Sequence, residues 1–175
     1  MLNRNPQNDL IASSAFNPST ASAAIFESVT MPQLSDLYRT ALYLLQQPAL
    51  ASIAVEVTYL RAREAFGKHP RGTSRKTWLF QILIRVVRQT RMLAMGVVIA
   101  NEVNGSSSVM SAMNGIPRDS REVVLLVDGL GFSYKDAAEI LGISADVVAD
   151  HIVNGRNHLQ SELESSRSTL AAIAQ

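Results

Sequence analysis

From Leu34 onward, apolar residues recur at three- and four-residue spacing. Leu34, Leu37, Tyr38, Ala41, Leu42 and Leu45 fall on one face of a helix. Pro32, just ahead of them, suits a first helical turn. Pro48 opens a second helix, on which Ile53, Val57, Leu60 and Glu64 share a face. Residues 66–74 contain Gly67, Pro70 and Gly72 and show no period, which predicts a loop. A third helix is predicted over about 75–95. Its apolar set is Trp78, Leu79, Ile82, Leu83, Val86 and Val87, and its opposite side carries Lys76, Gln81, Arg85, Arg88 and Gln89. Trp78 lies on the apolar stripe and is assigned to the core.

The second half of the chain has a different pattern. Pro117 opens a helix through Val127, and Asp128-Gly129-Leu130-Gly131 closes it. Ser133, with Asp136 three residues on, forms a capping box for a helix over 134–141. Gly142-Ile143-Ser144 makes a three-residue turn, and a last helix runs from Ala145 to about Ser165. A short helix, a tight glycine turn and a second helix entered through a serine cap form a helix-turn-helix pattern. Ala137 and Ala138 are small where two helices must cross, Ile143 plugs the turn, and Val147, Val148 and Ile152 seat the second helix.

No strand pattern is convincing, so the expected fold class is all-α, with two small helical domains joined by a flexible linker. The expected organisation is a flexible arm over 1–30, a helical domain over 31–95, a linker over 96–112, a helix-turn-helix domain over 113–165 and a tail over 166–175. The arm is assigned from its Asn, Ser, Ala and Pro content, and the linker from Asn104-Gly105-Ser106-Ser107-Ser108.

Composition closes off several functions. The chain has 175 residues and no cysteine, so disulfides and thiolate metal sites are excluded. The longest apolar stretch, near residues 92–100, is well short of the roughly twenty residues of a membrane span, and the expected location is the cytoplasm. Gly129-Leu130-Gly131 lacks the glycine and lysine spacing of a phosphate-binding loop. His151 and His158 share a helix face without a third ligand. Neither an enzyme, nor a cofactor, nor a metal site is expected.

The formal net charge is +1, but it is unevenly spread. Residues 61–91 hold nine basic residues against Glu64 alone, whereas residues 92–175 hold five basic residues against ten acids. The basic block is a candidate footprint for phosphates.

The run from Ile116 to Ser144 resembles the promoter-binding C-terminal domain of bacterial RNA polymerase sigma factors, and is most similar to the small extracytoplasmic-function group. Asp36-Leu37-Tyr38-Arg39 and Thr58-Tyr59-Leu60-Arg61-Ala62 resemble the first helices of that group's N-terminal domain, and Trp78-Leu79-Phe80 followed by a basic helix resembles its promoter-melting helix. The resemblance covers roughly 31–95 and 113–163. It implies a protein that lends core polymerase its promoter specificity, with core polymerase, promoter DNA and an anti-sigma factor as partners.

The resemblance also implies sites. A base flipped from the minus-ten element would be captured in the loop over 68–74. Lys68, Arg71, Arg75, Lys76, Gln81, Arg85, Arg88 and Arg91 would line the DNA there. Ser144, Val147, His151, Asn154 and Arg156 would contact the minus-thirty-five element in the major groove. Ser52, Glu56, Tyr59 and Arg63 would face the polymerase clamp. Two departures stand out. The recognition helix carries Asp146 and Asp150 where the family presents basic and hydroxyl residues. In the clamp-binding helix, Leu50, Ser52, Ile53 and Val57 occupy positions the family tends to fill with acids. An alternative reading is therefore a sigma-like protein that has lost promoter binding and acts as an anti-sigma decoy or an interaction module.

Overall fold

A computed structural model describes residues 18–68, 70–94 and 115–173. The described residues are helical and contain no strand. The helices are α1 (Pro18–Thr30), α2 (Leu34–Leu45), α3 (Pro48–Glu64), α4 (Arg75–Ala94), α5 (Arg118–Val124), α6 (Tyr134–Leu141) and α7 (Ala145–Ile173). A 3-10 turn over Met31–Gln33 joins α1 to α2, and a five-residue π-helical segment, Leu125–Gly129, continues α5.

Local chemistry sets these boundaries. Pro32 sits in the 3-10 turn, and α2 starts two residues later. Pro48 occupies the first turn of α3, where a missing N–H costs nothing. Gln46, rather than a glycine, takes the left-handed conformation that ends α2 (φ 59°), and its Nε2 donates to the Tyr43 carbonyl at 2.6 Å. The Ser133 hydroxyl accepts from the Asp136 amide at 3.1 Å, and Gly142 at φ 72° ends α6. The Ser144 hydroxyl then accepts from the Val147 amide at 3.3 Å to start α7.

Helix α4 is central. Leu79, Leu83, Val86 and Val87 are buried within the same cluster as Leu37, Ala41, Leu44, Ala51 and Ala54 of α2 and α3. Phe80 and Ile84 are also buried, and Phe80 meets Phe132 edge-on with ring centroids 5.0 Å apart. The buried cluster is thus continuous from α2 through α4 to Val123, Leu126, Ala137, Ile140, Val148 and Ile152 in the C-terminal half. The N-terminal and C-terminal helical halves pack face to face, chiefly through α4 and α6. The segment over 96–112, assigned to the linker, lies outside the described residues.

Three expectations change. The arm over 1–30 contains a helix from Pro18, docked by Phe26, whose ring meets Tyr59 at 5.0 Å and Phe66 at 5.2 Å in edge-on geometry. Residues 1–17 lie outside the described residues. The last helix does not stop near Ser165 but continues to Ile173, into the assigned tail. Val147 does not seat the recognition helix: it is 38% exposed, and Val148 and Ile152 do that work.

Candidate nucleic-acid interface

The basic block divides into two groups when folded. Lys68 and Arg71 of the loop, and Arg75 and Arg85 of α4, are exposed. Lys76 is half-buried, with its ammonium 4.8 Å from the Phe132 ring centroid, a cation–π contact. Gln81 and Arg91 are half-buried, and Arg88 keeps 45% of its side chain exposed; all three also bond to the other half of the molecule. Gln81 Nε2 donates to the Glu139 carbonyl at 3.2 Å. Arg88 Nη2 pairs with Glu122 Oε2 at 2.7 Å, and its Nη1 donates to the Leu141 carbonyl at 3.4 Å. Arg91 Nη1 lies 3.9 Å from Glu122 Oε1, and Arg91 Nη2 donates to the Leu44 carbonyl at 2.8 Å. Sequence reading gives all three to DNA, and the fold gives them partners within the chain.

The reason is geometric. Thr77, Phe80, Gln81, Ile84, Arg88 and Arg91 recur every three or four residues and form one stripe of α4. The C-terminal half lies along that stripe. Burial pushes the Arg91 guanidinium below its ordinary pKa, opposed by the attraction of Glu122 and reinforced by Arg118, Arg121 and Arg88. Glu122, only 4% exposed, is the carboxylate that balances this cationic group.

The helix-turn-helix forms as expected, with Ala137 and Ala138 buried at the crossing and the Ile143 amide donating to the Ala138 carbonyl at 3.1 Å. Its outward face differs from the expectation. His151 turns toward α5, where its Nδ1 lies 3.0 Å from the Ser120 hydroxyl. Arg156 forms a two-pronged pair with Asp128 at 2.7 and 3.0 Å, and this bonding raises its pKa. Ser144, Val147 and Asn154 are exposed. So are Asp146, Asp150 and Val153, which gives the recognition helix an acidic and apolar outer surface. Carboxylates there repel phosphates, and lost cation contacts reduce counterion release.

On α3, Ser52, Glu56 and Arg63 are exposed and Tyr59 is half-buried. Ser52, Glu56 and Tyr59 line a shallow groove with Leu34, Tyr38 and Val55. Phe26 of α1 covers one side of Tyr59, a contact that sequence reading misses. A second, more apolar groove lies between α3 and α4, lined by Leu50, Ile53, Val57, Val86 and Leu93. Among the described residues, no cluster of three or more metal-ligating side chains occurs, and no helix is long and apolar enough to cross a membrane.

Comparison with known proteins bears on both halves. The family model for sigma-70 region 4 matches residues 106–159. The extracytoplasmic-function RNA polymerase sigma factor EcfG of Rhodopseudomonas palustris is 27% identical over 126 residues, which is 62% of this chain and 68% of the relative. The sigma factor SigC of Mycobacterium tuberculosis is 23% identical over 172 residues, spanning 89% of this chain and 92% of its own length. Among solved structures, the sigma factor RpoE of Bartonella quintana, in complex with the anti-sigma factor NepR, superposes with a TM-score of 0.67 at 27% identity. It covers 79% of this chain and 96% of the RpoE chain.

Proposed function

We propose that this chain, a divergent member of the extracytoplasmic-function sigma factors, directs RNA polymerase core to promoters by holding minus-ten DNA on the basic edge that leads into α4. The observation that carries this reading is the exposed set Lys68, Arg71, Arg75 and Arg85, which runs from the loop onto α4 within a segment of nine basic residues and one acid. A basic groove beside a loop able to accept an unstacked base is what single-strand capture requires. The half-buried Lys76 and the stripe with Gln81, Arg88 and Arg91 would extend that surface once freed. The groove between α2 and α3, with Ser52, Glu56, Tyr59 and neighbouring Arg63, is the proposed clamp contact. Core polymerase, promoter DNA and an anti-sigma factor are the proposed partners, and the cytoplasm the place of action. The role is that of a transcription factor, not of an enzyme.

A second reading applies to the C-terminal half. Its recognition helix presents Asp146, Asp150, Val147 and Val153 outward, while Arg156 is held by Asp128. That surface favours a protein over DNA, so upstream promoter contacts through Ser144, Asn154 and Arg156 would be weak. In the limit, the chain is a sigma-like decoy or interaction module. One experiment separates the two readings: transcription by core polymerase from a mixed promoter library, with and without the chain. Specific transcripts that vanish with Arg71→Glu/Arg85→Glu, while the circular-dichroism spectrum is unchanged, support the first reading. Full activity of that variant refutes the placement of the DNA, and no transcripts from the parent chain favours the decoy.

A further inference from the structure

A cavity of about 310 Å³ lies where α2 meets the π-helical segment. Arg39, Leu42 and Tyr43 of α2 line one side, and Leu125, Gly129 and Leu130 line the other. None of these residues belongs to the basic block or to the groove assigned to the clamp. The volume has room for about ten waters, or for a ligand of about ten non-hydrogen atoms. Small-molecule sites start near roughly 300 Å³, and are mostly apolar with a few polar groups that fix orientation.

Three features point to a ligand of one chemical kind. Tyr43 is 8% exposed, and its hydroxyl has no hydrogen-bond partner among the described residues. A buried hydroxyl nearly always has one. The positive charge of Arg121 on α5 acts on this phenol, which places it toward the segment that supplies the second wall. That segment is the second feature. Leu125–Gly129 is a π-helical turn, a rare form that recurs at functional sites. Gly129 keeps the space beside it open, since even a Cβ there would lie 3.2 Å from Leu125 Cδ1. The third feature is Arg39, one turn before Tyr43 and therefore on the same face of α2. Its guanidinium pairs with Asp36 at 3.2 Å, and its side chain is 69% exposed. A guanidinium has five N–H donors, so Arg39 can hold a second carboxylate while keeping the first. Among the described residues of the lining, Arg39 alone carries a charge.

We propose that this cavity binds a medium-chain carboxylic acid: Arg39 and Tyr43 hold the carboxylate, and Leu42, Leu125 and Leu130 enclose the hydrocarbon chain. The guanidinium supplies a charge-assisted hydrogen bond and the phenol a neutral one. The Tyr43 hydroxyl is shielded from solvent in the empty cavity, so binding includes a turn of its ring toward the ligand. An amine of the same length brings its positive charge against Arg39. A shorter acid reaches the same donors but leaves the leucines uncovered, and each lost methylene removes apolar contact. The bound acid touches α2 and the π-helical turn together, so it stabilises the fold by mass action.

Octanoate, with about ten non-hydrogen atoms, is the probe. It is titrated into the full chain by calorimetry, beside octylamine, octanol and acetate, and circular dichroism checks the fold of every variant. Octanoate is expected to bind one to one, at least tenfold tighter than octylamine or acetate, and to raise the melting temperature. Arg39→Gln, at an exposed position, should weaken octanoate at least fivefold and leave octanol unchanged. Tyr43→Phe should weaken octanoate at least threefold. Leu130→Phe, which fills the cavity, should abolish binding of both. Absence of saturable octanoate binding would overturn the proposal. Equal affinities for octanoate and octylamine would do the same, as would octanoate binding unchanged by Arg39→Gln, because the acid would then sit elsewhere.

Discussion

Gly155 sits where α7 crosses α5, and replacing it with alanine sets two effects against each other. In a helix interior, alanine is worth about 1 kcal/mol more than glycine. The new Cβ, however, would lie 2.4 Å from Val124 Cγ2, with the Ser120 carbonyl oxygen at 3.6 Å and the Ser120 Cβ at 3.7 Å. Carbon atoms pack best at roughly 3.5–4.0 Å, so the valine methyl must retreat by more than 1 Å. Val124 is buried, and a β-branched side chain in a helix has one strongly preferred rotamer. The methyl therefore cannot swing aside cheaply, and overpacking of this kind costs about 1–3 kcal/mol. The steric effect wins. Gly155→Ala is expected to destabilise the chain by about 1 kcal/mol and lower the melting temperature by roughly 2–4 °C. The same substitution in a Val124→Ala background meets no methyl, so the propensity gain should appear and Gly155→Ala should stabilise. Thermal unfolding of the four proteins, followed by circular dichroism, gives the cycle, and the expected coupling is about 1–3 kcal/mol. A melting temperature raised by Gly155→Ala in the parent chain would refute this account of the crossing.

Other outcomes follow from separate features. Phe26→Ala should release α1, at a cost of about 3 kcal/mol; amides in 18–30 would lose hydrogen-exchange protection while those of α4 keep theirs, and unchanged protection in α1 would contradict its anchoring by one ring. Tyr43 is buried, with no hydrogen-bond partner for its hydroxyl among the described residues, and burial raises its pKa from 10.0 to about 12. The folded state thus holds this proton more tightly than the unfolded state. Its contribution is fully present below pH 10 and is lost as pH rises through about 12; the loss, up to about 3 kcal/mol, should be absent in Tyr43→Phe when stability is measured across that window. Asp146→Asn/Asp150→Asn removes two carboxylates from the outer face of the recognition helix, and should raise affinity for duplex DNA several-fold, with a salt dependence that a filter-binding series reads directly. No gain would mean that this face does not approach DNA at all.

Much of the architecture was legible because it is written in local chemistry. Pro48 opens α3, Ser133 and Asp136 cap α6, Gly142 turns the chain, and Trp78 is buried, all as the spacing indicates. The misses share a cause. Helix α1 carries one decisive residue, Phe26, among Ala and Ser, so its composition resembles an unstructured arm. Gln46 ends α2 in a conformation usually given to glycine, which no residue-type rule anticipates. The meeting of the two halves depends on Thr77, Gln81, Arg88 and Arg91, and a polar stripe bound by carboxylates has the same periodicity as one bound by water. The resemblance places His151 on the outer face of the recognition helix, whereas its ring faces Ser120. Hydrophobic spacing shows which side of a helix is apolar, and is silent on what the other side touches.

The anchoring of α1 has a consequence during synthesis. Phe26 leaves the ribosome well before Phe66, one of the two rings that hold it, and 40 positions separate them. At about 5–20 residues per second, that gap lasts roughly 2–8 seconds. A helix as short as α1 is marginal by itself in water. The first of the described helices to be made therefore waits, undocked, and is among the last of the N-terminal half to settle.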